Sequence, residues 1–363
     1  MISPVRDCGP RARAGWRAAT IAVGVVLVVA VGCSRRPRRV PYIPPDLANW
    51  SETYRGPKGL RLHVFATTGS LSPPRGVLGG SWLEHVTLEV PAFLIEHPRA
   101  GLTVVGTGLA PELSGSPEKH LGWFLAAITS VTVKEEQDLV SQLKAAGFAP
   151  EEVHRMILQD CRFPETGQIA RFPGAEVVAS EAEREWALHR GGPSSAVRRA
   201  DILDVRRWTT IDFKDAKALG TFSRAHDLLG DGSVLLLDAP GYTPGTMAVL
   251  VRLASGPVVL AGGVAPLKET LRMPVVPPLA TDPERWWDSA WRLKRFRELA
   301  ADLVVVPGFE TSDLASKGHR GVQVHRAESG AEEKRRPTPV GRQPDRPSFP
   351  VQDPPASPPP LGR

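Results

Sequence analysis

The sequence predicts an α/β fold. Three observations carry this. Short apolar runs bounded by Gly and Pro recur through the middle of the chain, as at 60–66, 86–98, 101–108 and 247–253, and read as strands. Helical spacing of apolar residues lies between them, at 135–146 and 282–301. The apolar fraction of 42% over 363 residues is enough for a real core, in one large domain or two small ones.

The first 17 residues carry Arg6, Arg11, Arg13 and Arg17, and an uncharged apolar run follows to Cys33. A basic region and then an apolar region of this length reads as a signal peptide over 1–33. Ala30-Val31-Gly32-Cys33 resembles a bacterial lipobox, with Cys33 as the lipidated residue. An uncleaved anchor helix is the alternative. Either way the N-terminus partners a lipid bilayer, and the domain sits at the bacterial cell envelope, facing periplasm or exterior. Residues 34–59 are rich in Pro, Arg and Gly and are expected to be a linker; 313–363 are expected to be a disordered Pro/Arg-rich tail. The domain is expected over 60–312.

The net charge of +6 comes largely from Arg-rich ends. No basic stripe interleaved with aromatics crosses the central part, which argues against nucleic-acid binding. The three cysteines are Cys8, Cys33 and Cys161, with no pair at metal-ligand spacing. Removal of 1–32 would take Cys8 away, leaving no disulfide framework within one mature chain.

Within the domain, a strand at 60–66 precedes a Gly, Ser and Pro loop. Two strands joined by Pro98-Arg99-Ala100-Gly101 form a hairpin and lead into Gly106-Thr107-Gly108. The helix over 135–146 uses Leu139, Val140 and Leu143, with Gly147 as its cap. A short helix near Pro150 leads into Met156-Ile157-Leu158, a buried strand. The loop after it reads Gln159-Asp160-Cys161-Arg162-Phe163-Pro164-Glu165. After a second strand, Ser180 is placed as N-cap with Glu183 as its capping-box partner. The stretch 196–217 shows no clear period. Gly230-Asp231-Gly232 signals another hairpin. It is followed by Pro240-Gly241-Tyr242-Thr243-Pro244-Gly245-Thr246, then by two strands ending in Ala261-Gly262-Gly263-Val264. Asp282 and Pro283 open the helix over 282–301. A last strand ends in Pro307-Gly308-Phe309-Glu310.

These motifs, in this order, resemble those of the metallo-β-lactamase fold, in the branch of quorum-signal N-acyl homoserine lactone lactonases. The resemblance runs from about 60 to 310. It implies a four-layer αβ/βα sandwich with its site at one edge. In that family the first loop reads His-x-His-x-Asp-His; here those positions are Asp160, Arg162, Pro164 and Glu165. The family's Pro-Gly-His-Thr-Pro-Gly-His has its ligand position at Tyr242, with Thr246 at the second His. The bridging Asp of Ala-Gly-Asp-Ala is Gly263, and the His of Pro-Gly-His-Asp is Phe309. The supporting Asp of the family's Asp-Thr-Gly is Gly106.

The family norm is two zinc ions that lower the pKa of a shared water for attack on a lactone or amide carbonyl. All seven ligand positions differ from the family type, and no His-x-His occurs among nine histidines. The expectation is therefore a degenerate pseudo-hydrolase with no cofactor and no catalytic residue. The alternative is a metal-dependent hydrolase of lactones or similar esters with an altered site. Two arrangements of the first loop stay open. Arg162 is salt-bridged between Asp160 and Glu165, or it holds a small-molecule ligand with Tyr242 and Phe309 as walls. Cys161 lacks a His partner in its motif and reads as a buried thiol.

Overall fold

Every residue of the strand Met247–Leu253 is buried. Met247, Val249, Val251 and Leu253 face one apolar cluster, and Ala248 and Leu250 face another. A strand covered on both faces explains the unbroken apolar run at this point of the sequence. The computed structural model of the chain describes residues 46–134, 136–312, 314 and 321–325. All fall in the first of its two units, Met1–Ala327. The expected signal peptide with Cys33, residues 34–45 of the expected linker and most of the expected tail lie outside the described residues.

Met247–Leu253 belongs to a six-stranded sheet. Its spatial order is Lys217–Leu219, Phe222–Asp227, Val234–Asp238, Met247–Leu253, Gly256–Leu260 and Val304–Val306. A seven-stranded mixed sheet runs Val322–His325, Arg61–Phe65, Ala92–His97, Gly101–Val105, Val153–Ile157, Glu176–Ser180 and Trp208–Ile211. The two sheets meet through Leu62, Ile95 and Ile157 against Leu236, Val249 and Leu260. On the outer face of the seven-stranded sheet, Leu94, Val104 and Met156 pack against Leu139 and Leu143 of the helix Leu139–Ala145 and Ala187 of the helix Glu181–His189. On the outer face of the other, Leu235, Leu250 and Val259 pack against Leu293 and Phe296 of the helix Pro283–Leu299. Helix, sheet, sheet and helix make the four layers that the sequence predicts. A three-stranded sheet of Leu88–Glu89, Ser70–Ser72 and Ser130–Thr132 covers a separate cluster that includes Leu71, Leu109, Leu125 and Phe163.

Several boundaries differ from expectation. The expected linker contributes to the core: Ala48 and Gly220 exchange backbone hydrogen bonds of 2.8 and 2.7 Å. Trp50 meets Phe296 edge-on at 4.7 Å, and the buried Arg252 cation lies over the rings of Trp50 and Tyr54. At the other end, Val322–His325 pairs in parallel with Arg61–Phe65, beyond the expected limit at 312. The helix expected from 135 starts at Leu139, because the Asp138 carboxylate accepts the Ser141 N–H at 3.2 Å and fixes its first turn. The stretch 196–217 holds the short helix Arg199–Ile202 and the strand Trp208–Ile211, which pairs with Glu176–Ser180. No helix among the described residues is long and apolar enough to cross a membrane.

Candidate functional site

The site begins with Gln159, the second residue after the strand Val153–Ile157. Its side-chain amide donates to the Leu260 carbonyl at 2.8 Å and the Met247 carbonyl at 3.2 Å. Its own carbonyl accepts the Met247 N–H at 2.9 Å. The loop that starts here is thereby tied to the other sheet. Five residues on, Pro164 lies in the first turn of the short helix Phe163–Thr166, where a missing N–H costs nothing.

Glu183 holds the same loop from the far side. Ser180 caps its helix as expected, accepting the Glu183 N–H at 3.1 Å. The Glu183 side chain does not turn back to complete a capping box. It is fully buried and accepts the N–H of Cys161 at 2.8 Å, the N–H of Gly245 at 3.1 Å and the hydroxyl of Thr243. One carboxyl thus joins the 160–162 loop to the 240–246 loop. Burial, reinforced by Asp160, pushes it up to about 7.

All seven substituted positions line one cavity: Asp160, Arg162, Pro164, Glu165, Tyr242, Gly263 and Phe309. Their side chains fit one another. The Arg162 guanidinium lies over the Tyr242 ring, 3.9 Å from its centroid. A Cβ on Gly263 would come 2.1 Å from that same ring. A Cβ on Gly106 would come 2.6 Å from Oε2 of Glu165, and Gly106 has φ +66°. Two glycines therefore stand where larger side chains would collide with Tyr242 and Glu165. Trp286, fully buried, donates from its indole to the Gly263 carbonyl at 2.9 Å and pins that loop.

The salt-bridged arrangement of Arg162 is not what forms. Asp160 accepts the backbone N–H of Arg162 at 3.0 Å, so its carboxylate faces the main chain. Nη2 of Arg162 donates to the carbonyls of Tyr242 at 3.1 Å and Leu279 at 2.5 Å. Its Nε and Nη1 have no partner, and neither does Oε2 of Glu165. Burial, and then the Asp160 charge, raises the Glu165 carboxyl well above the usual range. Burial also raises Asp160, with Arg162 opposing. Cys161 is a buried free thiol raised by the same burial.

The remaining lining is apolar and includes Leu71, Val77, Leu88, Leu125, Ile128 and Phe163. The cavity measures about 150 Å³. Trp82 lines it and is 50% exposed, and the neighbouring Leu83 is 95% exposed, so one wall continues into apolar surface.

No protein-family model matches the chain. Among curated proteins it is 32% identical over 170 residues to an N-acyl homoserine lactonase, AttM, of Rhizobium radiobacter. That match covers 46% of this chain and 60% of the relative. An N-acyl homoserine lactonase of a Bacillus species is 27% identical over 216 residues, covering 58% of this chain and 77% of the relative. The chain thus spans about 60% of the length of the AttM relatives it matches. Among solved structures, an N-acyl homoserine lactone hydrolase with N-hexanoyl-L-homoserine at its catalytic metal centre aligns with a TM-score of 0.59 at 21% identity. The alignment covers 71% of this chain and 95% of that one. The chain is similar to N-acyl homoserine lactonases in sequence and shares the metallo-β-lactamase fold of their solved relatives. A variant of B. thuringiensis AiiA with N-decanoyl-L-homoserine at its active site shares the fold, with a TM-score of 0.60 at 21% identity.

These relatives correct the expectation of a lactonase-like fold with no cofactor. A solved structural neighbour, an N-acyl homoserine lactone hydrolase, holds its product at a catalytic metal centre. The residues at the seven positions do not fit two zinc ions. Arg162 is a permanent cation among them, and Pro164, Gly263 and Phe309 offer no side-chain donor. The Tyr242 ring fills the space beside Gly263. Among the described residues no group of three or more His, Cys, Asp or Glu converges as ligands.

Sequence reading reaches the seven positions but misses three residues that organise them: Gln159, Glu183 and Trp286. Glu183 carries a signal, being an acidic residue one turn into a capped helix. Local pattern assigns it to the cap, and only the tertiary fold brings the 243–245 loop onto its carboxyl.

Proposed function

We propose that this lactonase-like chain is a small-molecule-binding pseudo-hydrolase, holding an amphipathic ligand in the cavity beside Arg162. One observation carries the reading. The positions that would hold metal are filled by side chains fitted to each other, while an apolar cavity stays open against them. Decay without a role would have no need to keep both. The relatives' names favour a second reading, a metal-dependent hydrolase of lactones or similar esters with an altered site.

A hydrolysis assay on N-hexanoyl-L-homoserine lactone separates the two, run with and without added zinc. The binding reading expects no turnover above the buffer rate in either condition, together with a ligand-dependent change in Trp82 fluorescence. Zinc-dependent turnover that is lost on Asp160→Ala or Glu165→Ala would establish the hydrolase instead.

The proposal places the domain at the bacterial cell envelope, lipid-anchored through Cys33. The support is in the sequence alone: four arginines, an uncharged apolar run and small residues before the cysteine. Cys33→Ala should move the full chain from the membrane fraction to the soluble fraction. Unchanged fractionation would remove the lipid anchor from the account.

A further inference from the structure

The strand Val322–His325 lies at the edge of the seven-stranded sheet and pairs in parallel with Arg61–Phe65. The Gly321 carbonyl accepts the Leu62 N–H at 2.8 Å, and the His325 carbonyl accepts the Ala66 N–H at 3.1 Å. Val322 and Val324 bury their side chains only in part against the core between the sheets. A strand this short, at an edge, has little margin for staying in place. Two histidines join it to its neighbour. Nε2 of His325 lies 3.2 Å from Nδ1 of His63, and Nε2 of His63 lies 3.1 Å from Oε2 of Glu96. His63 is buried, edge-on to Phe148, and His325 is half-buried and stacks on Phe65 at 4.9 Å.

The hydrogens of this row can be placed. The Glu96 carboxylate, ion-paired with Arg61 at 3.4 Å, only accepts, so His63 carries its hydrogen on Nε2. The neutral ring then offers a lone pair at Nδ1, and His325 donates to it from Nε2. A first extra proton fits: on Nδ1 of His325 it leaves that bond intact. A second does not. On Nδ1 of His63 it sets N–H against N–H across 3.2 Å, between two cations. The charged groups that act on His63 are Glu96, on the neighbouring strand, and Arg61, on its own; His63 is the one that acts on His325. Burial lowers both rings from their ordinary value, and at His63 it outweighs the pull of Glu96. The strand in place therefore resists protons that a released strand would take up.

We infer that Val322–His325 is an acid-released strand with the His63–His325 pair as its trigger. At neutral pH the shared hydrogen holds the strand on the sheet. When His63 also takes a proton, the strand leaves and bares the outer edge of Arg61–Phe65. The hold is complete above the ordinary histidine value of about 6.5 and is lost as pH falls from there through the lowered values of the two rings. The device is independent of the cavity beside Arg162 and of any ligand there.

Hydrogen exchange of the full chain, followed from about pH 7.5 to about pH 5 and corrected for the intrinsic rate at each pH, tests it. Protection of the Leu62 and Ala66 amides is expected to fall about tenfold or more between about pH 6.5 and about pH 5. Protection within Met247–Leu253 is expected not to fall, which separates a local release from acid unfolding and from the opposite titration of Glu183. His325→Gln changes a half-buried edge residue and keeps a donor toward His63. Its amide can also turn its carbonyl to Nδ1–H once that ring is charged. In this variant the fall at Leu62 and Ala66 is expected to shrink to less than about threefold. Constant protection of these two amides in the unaltered chain would overturn the inference. So would an undiminished fall in His325→Gln, or a matching fall within Met247–Leu253.

Discussion

Glu183 shows how much of this site rests on single buried groups. Its folded-state pKa is pushed up to about 7 from 4.5, chiefly by burial. The folded chain therefore binds this proton more tightly than the unfolded chain does. The stabilisation is complete below about pH 4.5 and is lost as pH rises through about 7, with an upper bound of about 3 kcal/mol. Urea unfolding between pH 5 and 8 should show stability falling as pH rises. Glu183→Gln should flatten that slope, although losing one of three accepted hydrogen bonds lowers stability overall. A slope unchanged in the variant would assign the titration to Asp160 or Glu165, which shift in the same direction. At this scale the sequence was legible in position and illegible in partner. Asp160, Arg162, Tyr242 and Gly263 could be placed from motif order. That Arg162 stacks on Tyr242 instead of bridging two carboxylates depends on loops about 80 residues apart in the chain meeting.

Two elements behave differently from their local pattern. The Ser180 hydroxyl caps the helix Glu181–His189 and also donates to the Gly245 carbonyl at 2.8 Å. An exposed N-cap is worth about 1 kcal/mol; this buried one joins two loops, and Ser180→Ala should cost about 2 kcal/mol in denaturant unfolding. A cost below about 0.5 kcal/mol would mean that the Gly245 contact contributes nothing. The segment 46–59 has the composition of a linker, yet Trp50 and Tyr54 cover the Arg252 cation and Trp50 packs on Phe296. Starting the chain at residue 60 should expose Arg252 and lower stability by about 3 kcal/mol. Equal midpoints for chains beginning at 46 and at 60 would return the segment to linker status. Composition misled here because Pro and Arg counts report on average solvation, whereas two aromatic residues decide the packing.

For the whole molecule, the four layers were legible because the fold's periodicities are strong. Doubly buried strands such as Met247–Leu253 and the long capped helix Pro283–Leu299 announce themselves locally. The short strands of the small third sheet do not, since two or three residues carry no period. The edge strand Trp208–Ile211 was equally silent. The site edge of this chain is filled by its own side chains: Tyr242 occupies the space beside Gly263 and Arg162 lies on Tyr242. The most direct test of that mutual fit is a double-mutant cycle on Tyr242→Ala and Gly263→Asp, read by urea unfolding. Gly263→Asp alone should cost about 3 kcal/mol or more, because its Cβ meets the ring. Combined with Tyr242→Ala, the loss should fall short of the sum of the single losses by at least about 1 kcal/mol. Strictly additive losses, or a Gly263→Asp chain as stable as the unaltered one, would contradict the account.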